Sequence, residues 1–176
     1  MEGSAEDMSK ASEPAGAPVA ERPGFPAEYG IDTSEGGLLP WAWALDQLRA
    51  ARNYWVCTTS ARGLPHAAPV WGVVLANALY FSTDTRSAKG RNLLRSGHIV
   101  VHLESGDDVV ILQGTADRFD RMADVPGLGE AYLEKYGFDV STLPSAESVW
   151  FVVKPSVAHG WREADFPTSA TRWRFS

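Results

Sequence analysis

Cysteine is almost absent. The single residue, Cys57, cannot form an internal disulfide, and its place in the apolar run YWVCTTS marks it as a packed thiol. Histidine is scarce as well: His66, His98, His102 and His159 lie apart with no paired ligand spacing, so no metal site is expected. No apolar run approaches the ~20 residues of a membrane span, and Met1–Gly24 lacks the basic start and apolar centre of a secretory signal. The expectation is a cytoplasmic protein that does not engage a membrane. A basic surplus is missing too. The net charge is −6, and residues 1–37 account for it with eight acids (Glu2, Glu6, Asp7, Glu13, Glu21, Glu28, Asp32 and Glu35) against Lys10 and Arg22. The remainder is balanced, which excludes the basic field that a nucleic-acid surface requires. There is no phosphate-binding Walker loop, no dinucleotide fingerprint and no internal repeat.

What the chain has is apolar and aromatic content: 44% hydrophobic and 11% aromatic over 176 residues, enough for one domain with a sizeable core. Residues 1–37 read as a disordered acidic tail rich in Ala, Pro and Gly, because so few large apolar groups cannot offset ordering entropy. Residues 38–176 read as the folded unit. Pro40 at a first helical position, followed by Trp41, Leu45 and Leu48, predicts a helix ending near Arg52. Tyr54–Ser60 and Leu64–Leu75 predict a hairpin across the turn 61–63, and Ala76-Asn77 a second turn. Ile99–Leu103 and Val109–Phe119 follow as strands around Gly106-Asp107, with a bulge at Gly114. A helix is expected over about Leu128–Lys135, then a strand or strand pair at Val149–Lys154 and Ala158–Arg162, then Thr168–Phe175, whose aromatics need burial. About seven strands and three helices in this order predict a mainly β (α+β) fold, a small antiparallel barrel with flanking helices.

The stretch ALYFSTDTRSAKGRNLLR, residues 78–95, carries the most chemistry. Leu79–Thr83 alternates as a strand, and Ser87 opens a helix with Leu93 and Leu94 on its apolar side. A strand feeding a helix N-terminus, surrounded by Ser82, Thr83, Thr85, Arg86, Ser87, Lys89 and Arg91, predicts a phosphate grip, since the helix dipole already favours an anion there. The other reading is a surface helix whose basic residues keep it soluble. His66, after the Gly63 turn, is the candidate proton donor, against the plainer reading of a packed or solvated strand histidine.

Several segments in sequence, GLPHAAPVWG, LYFST, S-x-K-x-x-NL, VV-x-x-x-G-T-A and a Trp eleven residues before the first Arg of TRWRF, together resemble the pyridoxamine 5′-phosphate oxidase-like split β-barrel superfamily over about Trp43–Phe175. The resemblance implies a homodimer with a flavin (FMN) or the deazaflavin F420 at its subunit interface. It places the cofactor phosphate on Lys89, a strand-end hydroxyl on Ser82, and the ring-approaching residues on Trp161 and Arg172. Thr83, Arg86, Ser87, Arg91 and Asn92, from the same turn and helix, complete the candidate cofactor-binding set. Departures narrow the activity. The oxidase's phosphate arginines fall at Ala88 and Ala68 and its ring glutamine near Val109, which makes Arg86 and Arg91 the candidates to replace a missing cation. Its substrate-holding lysine and Arg-x-His pair fall at Val73, Thr168 and Ala170, which argues against oxidation of pyridoxamine phosphate. Three readings stay open: reduction of an unsaturated or aromatic small molecule with F420, an FMN-dependent reductase or oxidase, and a non-catalytic cofactor or haem carrier.

Overall fold

The computed structural model describes residues 17–142 and 147–176. In chain order the elements are β1 (Val19–Glu21), a 3-10 turn at Ala27–Tyr29, α1 (Trp41–Ala50), β2 (Tyr54–Thr59), β3 (Pro65–Val70), β4 (Gly72–Leu75), β5 (Ala78–Asp84), α2 (Ala88–Ser96), β6 (His98–His102), β7 (Asp108–Phe119), α3 (Leu128–Tyr136), β8 (Ser148–Arg162), α4 (Phe166–Ser169) and β9 (Thr171–Arg174). Every strand pairing is antiparallel. The order is β1-β9-β8-β7-β6-β2-β3, with β5 also on β8 and β4 on β5. This is an α+β split barrel, as the sequence predicts. Among the described residues, no helix is long and apolar enough to cross a membrane.

The fifteen-residue β8 organises the sheet. One of its edges pairs with β7 along the whole of that strand. Its other edge pairs with β5 over Ser148–Val153 and with β9 over Val157–Gly160. The exchange of partners coincides with a register shift at Gln113/Gly114 on β7. Here the backbones approach so closely that a Cβ on Gly114 would lie 2.1 Å from the Lys154 carbonyl oxygen, so the predicted bulge requires glycine. The sequence left Val149–Arg162 as one strand or two; the bulge keeps it one.

Elsewhere the structure refines the sequence expectations. Leu64–Leu75 is two strands, because the chain turns at Trp71 and moves from β2 to β5 as its pairing partner. Gly72 permits this, since a Cβ there would stand 2.8 Å from the Tyr80 carbonyl. Pro40 caps α1 in an extended conformation and does not enter the helix, which stops at Ala50 because Ala51 is extended. The count is nine strands and four α-helices among the described residues, against the expected seven and three. Residues 17–37, read as tail, differ most. Val19–Glu21 pairs with Arg172–Arg174, and Arg22 donates to the carbonyls of Ser34, Gly36, Thr168 and Ala170. One guanidinium thus supplies the ordering that apolar burial does not. The rest of the tail, residues 1–16, lies outside the described residues.

Alternation sends Tyr54, Val56, Val101, Val110, Leu112, Phe81, Phe151 and Trp173 into one core under α1 and α2, each at most 3% exposed. The aromatics of the last strand are buried as expected: Trp173 Nε1 donates to the Leu39 carbonyl at 3.1 Å, and its ring meets Trp41 edge-on. A second cluster forms where α3 lies on β4, around Leu128, Tyr132 and Trp150. There Lys135 Nζ donates to the Tyr54 hydroxyl (2.8 Å) and the Gly72 carbonyl (3.0 Å), above the rings of Tyr54 and Tyr136.

Two predictions follow from these packings. Gly114→Ala should destabilise by about 2–3 kcal/mol, read as a shift of the urea midpoint. Gly106→Ala, where nothing lies within 4 Å of the added carbon, should stay within about 0.5 kcal/mol of the parent. The second concerns pH. Burial draws Lys135 down to about 8 and lifts the hydroxyls of Tyr54, Tyr132 and Tyr136 above the ordinary tyrosine range. Between about pH 8 and 10 the unfolded chain holds a proton that folded Lys135 has released, so stability rises with pH. Above about pH 10 the unfolded tyrosines ionise and the folded ones do not, so stability falls. Urea midpoints across this range should pass through a maximum, and Lys135→Met should remove the rising limb.

Candidate functional site

The turn from β5 into α2 is closed by backbone and hydroxyl groups. The Asp84 carbonyl accepts from Ser87 N (3.1 Å) and from Ser87 Oγ (2.8 Å), and Ser87 Oγ in turn accepts from Gly90 N at 3.0 Å. Ser87 is therefore the helix cap. Gly90 has no alternative, because a Cβ would lie 2.3 Å from the Asp84 carbonyl oxygen. Thr83 Oγ1 stands 3.1 Å from Ser87 Oγ, and the helix ends at Gly97 with φ of 67°. The strand, turn and capped helix are those that the sequence predicts.

The polar side chains distribute less simply. Arg86 is engaged by carboxylates: it meets Asp84 Oδ2 at 2.8 Å and Glu147 Oε2 at 2.6 Å, and it holds the Asp84 carboxyl down to about 2. Its charge is shared between two carboxylates, which weakens it as the replacement cation. Arg91 turns back to the Arg86 carbonyl, and Arg95 to the carbonyl of Thr59. Asn92, 8% exposed, donates to Thr58 Oγ1 at 3.0 Å and ties α2 to β2, which is a structural task. Ser82 lies opposite Trp150 in the β5–β8 register, on the face covered by α3, so alternation turns its hydroxyl away from Thr83 and Ser87. Lys89 is left. Half-buried in the first turn of α2, it makes no ion pair among the described residues.

His66 lies on the hairpin against which α2 packs. It pairs with Thr58 across the β2–β3 hairpin, on the inward face, beside the Thr58–Asn92 hydrogen bond. Its Nδ1 is buried without a hydrogen-bond partner among the described residues. A lysine without an ion pair in the first turn of a capped helix fits a phosphate, and the orphaned ring nitrogen lies on the hairpin next to that helix.

Trp161 and Arg172 stand elsewhere. Along the sheet, four strand steps of about 4.8 Å each separate β9 from β2, and both residues belong to the face opposite α2. On that face one register row runs Pro69, Trp55, His102, Ile111, His159, Arg172 and Glu21 across seven strands. The rings of Trp55 and His102 are parallel within 3°, and His102 Nδ1 lies 2.8 Å from the Leu103 carbonyl. Arg172 meets Glu21 at 3.2 Å, and burial together with the Arg172 charge pulls His159 below the usual histidine range. Glu21 meets Arg172, Phe25 and Phe166 meet Trp161, and Tyr29 packs on those two rings; none of the four is a site candidate in the sequence. Two aromatics inside an otherwise polar tail were the available signal.

If Lys89 carries the anion, Lys89→Ala should weaken binding of a phosphate-bearing cofactor roughly ten- to hundredfold in an equilibrium titration, with stability changed by at most about 0.5 kcal/mol. Arg95→Ala, in the last turn of the same helix with its guanidinium on the Thr59 carbonyl, should leave that affinity within about twofold.

Comparison with known proteins places this arrangement. The chain is similar to a conserved hypothetical protein from Mycobacterium tuberculosis, with a TM-score of 0.61 at 20% identity, covering 70% of this chain and 85% of that one. It is similar to an F420 reductase, with a TM-score of 0.51 at 19% identity over 64% of this chain and 94% of that one. A third likeness is to the haem storage protein HutZ of Vibrio cholerae, with a TM-score of 0.53 at 15% identity, covering 65% of this chain and 87% of that one. These likenesses are of fold. Among proteins of curated function, no sequence matches. The pyridoxamine 5′-phosphate oxidase family model matches residues 44–162, which takes in both the β5–α2 turn and the end of β8. The chain belongs to the pyridoxamine 5′-phosphate oxidase family.

Proposed function

We propose that the protein is an F420-dependent reductase of an unsaturated or aromatic small molecule, acting as a homodimer. The observation that carries the reading is Lys89, a half-buried cation in the first turn of α2 that makes no ion pair among the described residues, with the orphaned Nδ1 of His66 on the hairpin against which that helix packs. Bound there by its phosphate, the cofactor supplies hydride. The chain supplies position and charge. Lys89 and the N-terminus of α2 neutralise the phosphate, while Ser87 and Gly90 hold the turn rigid. FMN is the less favoured cofactor, because the resemblance places Ala68, Ala88 and Val109 where the oxidase has its FMN contacts.

The homodimer rests on separation. Trp161 and Arg172 lie on the opposite face of the sheet from α2, so a cofactor seated on Lys89 would meet Trp161 and Arg172 of the partner subunit. Arg172 of the partner subunit would then stabilise negative charge building on the reduced ring. The half-buried row Trp55, His102 and Ile111 offers the apolar surface for such a contact. A second reading, haem carriage, is favoured by His102: with Nδ1 directed at a carbonyl, Nε2 remains available as a ligand on that outer face.

Separate titrations of the apo protein with F420, FMN and haemin, with sedimentation of each mixture, test the proposal. Tightest binding of F420 by a dimer is expected. Binding of haemin alone transfers the protein to the second reading, and binding of none removes both.

A further inference from the structure

The segment preceding α1 is tied to the α4 turn by hydrogen bonds. Arg22 donates to Ser34 O (2.8 Å), Gly36 O (2.5 Å), Thr168 O (2.7 Å) and Ala170 O (3.0 Å), and Asp32 N donates to Pro167 O at 2.9 Å. At Gly37, φ is 84° and a Cβ would come within 2.8 Å of the Thr168 carbonyl, so this strap lies tightly on the α4 turn. Between these ties it carries Phe25 and Tyr29.

Both rings land on the end of β8. Phe25 and Phe166 lie 6.0 Å apart between centroids. Trp161 meets both edge-on, at 6.5 and 5.7 Å, and Tyr29 meets the same two at 5.6 and 6.5 Å. No ring contact joins Tyr29 to Trp161 among the described residues. They stand on either side of Phe25 and Phe166 in one four-ring cluster. The cluster is open to solvent: Phe25 is 39% exposed and Tyr29 57%. Its polar border comes from the same strap, where Glu21 is shared by Arg172 and Arg174, each at 3.2 Å. Two guanidiniums on one carboxylate leave net positive charge.

We infer that Phe25, Tyr29, Trp161 and Phe166 form the substrate seat, and that the substrate is a flat conjugated ring bearing a carboxylate or carbonyl. This rests on the proposed function, which puts Trp161 and Arg172 at the cofactor ring. Ring edges and faces fixed in advance attract another planar π-system through its quadrupole, whereas a puckered saturated ring gains only area. Because the strap is already ordered by Arg22, no loop-ordering cost opposes binding. The excess charge of Arg172 and Arg174 receives the polar substituent.

The test uses the full chain and two probes of similar size, 2-naphthoate and decalin-2-carboxylate, in calorimetric titrations. Naphthoate should bind at least about tenfold more tightly than its saturated counterpart. The double variant Phe25→Leu/Tyr29→Leu should weaken naphthoate about tenfold and leave F420 and FMN affinity within about twofold. Phe166→Leu, from the other end of the chain, repeats the test should the double variant unfold. Equal affinity for the two probes, no naphthoate binding, or an unchanged affinity in the variants overturns the seat. So does a variant that sediments as a monomer with its naphthoate affinity intact, since the rings would then belong to the subunit contact. Failure of the cofactor reading shows itself separately, as loss of F420 and FMN binding with the naphthoate series still readable.

Discussion

Everything in this fold depends on the close approach of β7 and β8 at Gly114. At that point β8 keeps β7 on one edge and exchanges β5 for β9 on the other, so a single strand belongs to both halves of the barrel. A side chain at position 114 would hold the two backbones apart, and the bulge that redirects β8 would be lost. The candidate site inherits this constraint. β5 leads into α2 with Lys89, whereas the far end of β8 carries Trp161 and borders β9 with Arg172.

Much of this was legible in the sequence, because local chemistry dictates it. The Ser87 cap, the Gly97 stop, the Gly114 bulge and the hairpin from Tyr54 all announce themselves within a few residues. Partnerships between distant segments do not. Trp71 reads as the middle of one strand because nothing local tells the chain that β3 serves β2 while β4 serves β5. Arg22 reads as a stray cation in a tail because its acceptors are backbone carbonyls, two of them nearly 150 residues away.

The site shows the same division. The sequence gathers Ser82, Thr83, Arg86, Ser87, Lys89, Arg91 and Asn92 around one turn, and the fold separates them by task. Asp84 and Glu147 engage Arg86, the cap engages Ser87, and Thr58 engages Asn92. What remains for the proposed grip, among the described residues, is one ammonium without an ion pair and one imidazole nitrogen without a hydrogen-bond partner. A count of positive residues in a window overstates the field at an anion site whenever an acid lies two residues away.

The pairing of β1 with β9 has a consequence for how the chain survives outside its native contacts. β9 forms one border of the sheet, and without Val19–Glu21 it would present Thr171–Arg174 as an open ladder of unmet donors and acceptors next to the Trp173 ring. Such borders recruit other chains and seed aggregation. The first strand is the edge guard of the last one, so proteolytic trimming at the N-terminus would be felt at the C-terminus, as a loss of solubility.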